Sequence, residues 1–283
     1  MVAGTPAIRL DGVTAGYAGD IVLRDLSFTV APGELLGAVG PSGSGKTTLL
    51  RLLTGQAEAY AGAVSVFGQP VRRGRPTRRI GYVPQLDTID WDFPLTVEQV
   101  ALLGLTADSR RIPWFSRAER RTVAATLERL GLAGLAKRHI CELSGGQQQR
   151  MFLARAMARQ ADLILLDEPT SGVDMVTRHD VLHLLGDLNA DGVTILLTTH
   201  DLNWVAAHLP RVLCLNGAIV GDGHPIEVFT PDVLRATYGA EVRVIHQGDL
   251  VFVADQTHVL GTTPPGPAGR PAGTAAAQRR GRR

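Results

Sequence analysis

Gly40-Pro41-Ser42-Gly43-Ser44-Gly45-Lys46-Thr47 follows directly on the apolar run Leu35 to Val39 and leads into Thr47 to Leu53, which reads as helix. Strand, glycine-rich turn and helix in that order match G-x-x-x-x-G-K-[ST] in the context its chemistry requires. The glycines let successive backbone N–H groups converge on phosphate oxygens, and the helix N-terminus adds a favourable potential for anions. Lys46 is placed for the β- and γ-phosphates of a nucleoside triphosphate, and the Thr47 hydroxyl for Mg2+. Thr48 completes the set of expected nucleotide contacts running from Gly40.

Downstream, Leu163-Ile164-Leu165-Leu166-Asp167-Glu168 reads as a buried strand that delivers two adjacent carboxylates at its C-terminal end. In a doubly wound sheet that end is where ligands bind. Strand alternation points the two side chains in different directions, so one can hold Mg2+ through water while the other faces an attacking water as general base. Between these motifs stands Leu143-Ser144-Gly145-Gly146-Gln147, leading into the helix-like stretch Gln148 to Ala158. It is a second helix N-terminus able to hold phosphate, and two such elements in one chain suggest a site completed by a second copy.

Further out, Ile8 to Leu10, Ile21 to Leu23 and Leu26 to Val30 read as short antiparallel strands between glycine turns. Val64 to Phe67 and Ile80 to Val83 read as strands, and the basic run Arg72 to Arg79 between them as a solvated loop. From Thr96 to Leu132 the period becomes helical, with Val97, Val100, Ala101 and Gly104 on one face and Val123, Leu127 and Leu130 on another, and Pro113 parting the two stretches. Thr194 to Leu197 and Val212 to Leu215 read as strands, Arg178 to Leu188 and Leu202 to His208 as helices. Alternation of strand and helix argues for a mostly parallel sheet. Val242 to Ile245 and Leu250 to Val253, with Gly248-Asp249 between, predict a small final hairpin. There is no internal repeat.

Composition bounds the rest. With 283 residues and 45% hydrophobic content the chain is a globular α/β protein. It has no run of 18 apolar residues to span a membrane and no secretory signal at its N-terminus. Its two cysteines, Cys141 and Cys214, read as small buried hydrophobes in a reducing compartment. The net charge of +2 is set by residues 261–283, which hold five arginines and no acid. Without those five, 24 of the 29 basic residues remain against 27 acidic ones, so the folded body is no nucleic-acid binder. The Pro/Gly/Ala/Arg-rich tail itself is expected to be disordered.

The phosphate loop, a lone Gln85, Leu143 to Gln147, Asp167-Glu168, Ser171-Gly172-Val173-Asp174 and His200 come in the order of ATP-binding-cassette ATPases, which the chain resembles over roughly residues 8–230. The resemblance implies a phosphate-loop NTPase core with a mostly parallel sheet, an N-terminal antiparallel β subdomain and an inserted helical subdomain at about 96–150. The cassette would cover 7–240, followed by a β extension (241–260) and the basic tail (261–283). It implies ATP and Mg2+, with Glu168 resembling the catalytic base, His200 the γ-phosphate contact, and Gln85 the lid residue that reaches Mg2+ and water. Thr47, Gln85 and Asp167 would hold Mg2+, and Tyr17 would stack on adenine. Two cassettes sandwich two ATPs in this family, so Ser144, Gly145, Gly146 and Gln147, with Asp174, would serve the nucleotide of a second, identical subunit.

In transporters of this family the insertion and the Gln85 region form a groove for a helix of the membrane subunit. The chain would therefore work with separate permease subunits on the cytoplasmic face of the membrane, and indirectly with an external solute-binding protein. Asp90-Trp91-Asp92-Phe93-Pro94 and Ser171-Gly172-Val173-Asp174, where many cassettes have Ala-Leu before the Asp, resemble the manganese/zinc/iron uptake systems. Trp91 and Phe93 fall on the expected groove wall. Importers of iron chelates, haem or cobalamin share the architecture. Soluble cassettes acting on ribosomes or DNA differ, since they carry two cassettes per chain or long insertions. The pair His179 and His183, lacking a third ligand, reads as surface.

Overall fold

The computed structural model describes residues 4–75, 77–106, 115–248 and 250–255. Alternating burial builds its first sheet, in which β1 (Ile8–Tyr17) pairs antiparallel with β2 (Asp20–Val30) and with β4 (Glu58–Val66), and β5 (Gln69–Pro70) closes the edge. The strand expected at Val64 starts at Glu58 instead, because its first residues pair with β1 through the backbone while their side chains stay largely in solvent.

The second sheet has the order β10-β9-β3-β8-β7-β6, from β3 (Leu35–Val39), β6 (Ile80–Val83), β7 (Leu163–Asp167), β8 (Thr194–Thr199), β9 (Arg211–Leu215) and β10 (Ile219–Gly223). All neighbours run parallel except the edge strand β10, which no apolar run announces. Burial of β7 and β8 along their whole length explains their unbroken apolar sequence. Because β3, β6, β7 and β8 are parallel, their C-terminal ends share one edge of the sheet. That edge carries the loop after Val39, Gln85, Glu168 and His200. Helix α1 (Lys46–Leu53) packs on the side shared with the first sheet, where Leu49, Leu50, Leu52 and Leu53 are buried.

The inserted helices α2 (Val97–Leu103) and α3 (Arg117–Arg129) each begin with a reciprocal capping box, Thr96 with Gln99 and Ser116 with Glu119. They bury Val97, Val100, Ala101, Val123 and Leu127 against α4 (Gly145–Ala158). Pro113 lies outside the described residues. Helices α5 (Met175–Ala190), α6 (Leu202–His208), α7 (Pro225–Val228) and α8 (Pro231–Tyr238) complete the layer.

The hairpin β11 (Val242–Gln247) and β12 (Leu250–Asp255) forms its own two-stranded sheet. Asn203 on α6 holds it by a double bond to the Val253 backbone, its amide donating to the carbonyl at 3.0 Å and its oxygen accepting from the N–H at 2.7 Å. The tail expected at 261–283 lies outside the described residues.

Two expectations are corrected. Cys141 is exposed; it sits in the short turn Ile140–Glu142, where Ile140 takes the inward place. The basic run is not uniformly solvated either, since Arg79 pairs with Asp162 at 2.5 Å and lies over the Phe67 ring, while Arg159 donates to the Thr77 carbonyl.

Candidate active site

At the shared sheet edge the residues from Gly40 to Thr48, with Val22, Gln85, Glu168, His200 and Tyr238, line a cleft of about 640 Å3. Gly43 and Gly45 have φ of 79° and 99°, the left-handed backbone that a tight loop before α1 requires and that side chains resist. Lys46 is 7% exposed, and its ammonium donates to the carbonyls of Gly40 at 2.7 Å and Pro41 at 2.9 Å. Burial pulls its pKa down, and the nearby charges of Glu168 and Asp167 pull it back up. The loop thus holds a desolvated cation at the start of α1, where a helix N-terminus favours an anion such as phosphate.

The two carboxylates point apart as expected, but the strand ends at Asp167 and a change of backbone, not alternation, separates them. Asp167 is 3% exposed and lies behind the cleft lining; its Oδ1 accepts from the Thr198 hydroxyl at 2.7 Å and its Oδ2 from Tyr82 at 3.5 Å. Glu168 has φ of 47°, and this left-handed step turns its carboxylate out of the strand into the cleft. There its Oε2 lies 3.1 Å from His200 Nδ1. The same Thr198 oxygen accepts the Glu168 N–H at 3.0 Å. One hydroxyl therefore fixes the buried carboxylate and the backbone of the exposed one.

Thr198, Tyr82, Val22 and Tyr238 are the site's residues that the sequence did not single out. The signal available for Thr198 was the pair of threonines just before His200. The Tyr82 hydroxyl is pushed up to about 12, by burial first and by the Asp167 charge second, so it remains a hydrogen-bond donor. The oxygens of Thr47, Gln85 and Asp167 form a hard donor set of the kind Mg2+ takes. Two stand at the cleft lining and Asp167 stands one layer behind, at a position suited to contact through water.

Other expected contacts fall elsewhere. Tyr17 packs on the core of the first sheet and is outside the lining of this cleft. Ser144, Gly145, Gly146 and Gln147 open α4 and also lie outside that lining. Gln147 Oε1 accepts the Ser144 N–H at 3.0 Å, which fixes the turn. Asp174 caps α5: its Oδ1 accepts from the N–H groups of Val176 and Thr177, and its Oδ2 accepts from the Thr177 hydroxyl at 2.6 Å. Those bonds hold its pKa below the usual carboxylate value. Trp91 meets Phe152 of α4 edge-on with ring centroids 6.1 Å apart, whereas Phe93 is 57% exposed. Phe93 is thus the more exposed of the pair, and Trp91 is partly buried.

Comparison with known proteins gives a consistent picture. The sequence profile described as ABC transporter matches residues 23–171. The manganese transport system ATP-binding protein MntB of Halalkalibacterium halodurans is 38% identical over 253 residues, which cover 88% of this chain and 99% of the relative. The zinc transport system ATP-binding protein TroB of Treponema pallidum is 39% identical, covering 83% and 88% respectively. Among solved structures, a metal-chelate type ABC transporter in an inward-facing conformation superposes with a TM-score of 0.74 at 29% identity, covering 88% of this chain and 96% of its own.

Proposed function

The chain belongs to the ABC transporter family, and we propose that it is the ATP-hydrolysing subunit of a bacterial importer of a metal ion, manganese, zinc or iron, acting through a separate membrane permease. Its family implies nucleotide binding and ATP hydrolysis. Support for the metal cargo is the likeness to manganese and zinc systems along nearly the whole chain. An iron-chelate importer is the second reading, favoured by the structural likeness to a metal-chelate transporter. No helix among the described residues is long and apolar enough to cross a membrane, which fits a peripheral subunit docking on the permease from the cytoplasmic face.

The observation that carries the catalytic part is Glu168 turned into the Lys46 cleft with His200 at 3.1 Å. In this reading the loop N–H groups and Lys46 grip the β- and γ-phosphates, and Glu168 takes the proton of a water aligned against the γ-phosphorus. His200 orients Glu168 and lends a hydrogen bond to the departing phosphoryl group. Thr47, Gln85 and, through water, Asp167 would hold Mg2+, which supplies neutralisation of developing phosphate charge. In this reading residues 7–240 form the cassette and 241–260 the extension, whose described part, to Asp255, is carried on α6.

In one chain, the Ser144 turn lies outside the lining of the phosphate cleft. That separation supports a homodimer in which Ser144, Gly145 and Gly146 of one subunit face the γ-phosphate held by Lys46 of the other. Gln147 then serves by fixing that turn, and Asp174 by fixing the start of α5 beside it. Permease-coupled ATPase activity in liposomes tests the cargo: stimulation by Mn2+, Zn2+ or Fe2+ supplied through the binding protein is expected. Silence with all three would overturn the metal reading.

A further inference from the structure

Helix α5 carries His179 and His183 one turn apart on one face. Their Nε2 atoms lie 2.8 Å apart with the rings inclined at 78°. Both line a cavity of about 350 Å3 between α5 and α6, whose wall also includes Asp187, Trp204 and His208. His208 stacks on Trp204, and its Nδ1 lies 3.0 Å from the Trp204 carbonyl. A carbonyl can only accept, so Nδ1 carries the proton and Nε2 of His208 keeps its lone pair, the arrangement second-sphere bonds give to metal-binding imidazoles.

Two imidazole nitrogens at this distance are either joined by one N–H···N bond or set to share a metal ion. The distance selects among ions. With metal–nitrogen bonds of about 2.0–2.1 Å, a 2.8 Å separation subtends about 86°, the cis edge of a square plane or octahedron; a tetrahedral site needs about 3.3 Å. We propose that His179 and His183 form a chelate for a divalent transition-metal ion of tetragonal or octahedral habit, with water in the remaining positions. No group of three His, Cys, Asp or Glu among the described residues converges on one point, so Asp187 and His208 flank the ion at a distance and the site is open and exchangeable. Imidazole donors favour Ni2+ and Cu2+ over oxygen-seeking Mn2+. The site therefore differs in preference from a manganese cargo, and it stands whether or not the transport reading does.

Its position gives it reach. Arg178, beside His179, pairs with Asp201 at 2.8 Å, next to His200, and Thr177 packs on Gly146 of the Ser144 turn. The experiment is calorimetric titration of the full chain with NiCl2 and MnCl2, with Cu2+ electron paramagnetic resonance in parallel. His179→Gln and His183→Gln serve as variants, their melting curves and basal ATPase checking that the fold is kept. One Ni2+ per chain, a two-nitrogen hyperfine pattern for Cu2+, and at least tenfold weaker binding in each variant are expected. Wild-type affinity in either variant, no binding at all, or Mn2+ bound as tightly as Ni2+ would overturn the proposal.

Discussion

Thr198 does with one oxygen what two residues would otherwise do, donating to Asp167 and accepting from the Glu168 N–H. Thr198→Val keeps the shape but leaves both partners unsatisfied, so unfolding should cost about 1–3 kcal/mol less and kcat should fall while ATP affinity holds. Thr198→Ser should restore both, which separates the hydroxyl's role from packing. Glu168→Gln removes the proton acceptor, and hydrolysis should drop by at least about 100-fold with ATP binding intact; a variant that turns over normally would move the base elsewhere. The cysteines give a plainer check. Burial pushes the Cys214 thiol up to about 12, while Cys141 is exposed, so a thiol reagent should label one site quickly in the native chain and two after denaturation. At this scale the sequence was legible where chemistry dictates spacing, as at Lys46, Asp167 and Glu168. Thr198 was hidden because a threonine ending a buried strand is also an ordinary strand former. Asp174 read as the residue crossing to a second subunit's site; within one chain its carboxylate caps α5, a use that spacing alone does not reveal.

Elements were legible in proportion to their burial. β7 and β8 are buried throughout, and their sequence is correspondingly apolar; β4 and β10 are held by backbone pairing with side chains half in water, and they leave little pattern. The turn that opens α4 rests on a glycine for a packing reason. A Cβ on Gly146 would meet Thr177 Cγ2 of α5 at 2.3 Å. Gly146→Ala should therefore destabilise the chain by about 1–3 kcal/mol in chemical denaturation, and the added Thr177→Ser change should recover part of it by removing that methyl. The final hairpin hangs on Asn203, and Asn203→Ala should raise hydrogen exchange along β12 while leaving β7 protected. Equal β12 protection in the variant and the wild type would mean the hairpin is held by its apolar contacts alone.

Over the whole molecule, the sheet gathers Lys46, Gln85, Glu168 and His200 at one edge, and the α4 turn stands apart from them. The two stretches expected to hold phosphate were both readable as motifs; their separation is a property of topology and needed the structure. The homodimer proposed above requires the two stretches to meet between chains. Two differently tagged chains test it, both carrying Glu168→Gln and Cys141→Ser, one with Ser42→Cys and the other with Ser144→Cys. They are mixed with Mg-ATP and a short thiol-specific cross-linker, and the products are resolved by mass. A covalent dimer holding one chain of each kind is expected, formed with ATP and lost without it. Absence of that dimer, together with cross-linking inside a single chain bearing both cysteines, would contradict it.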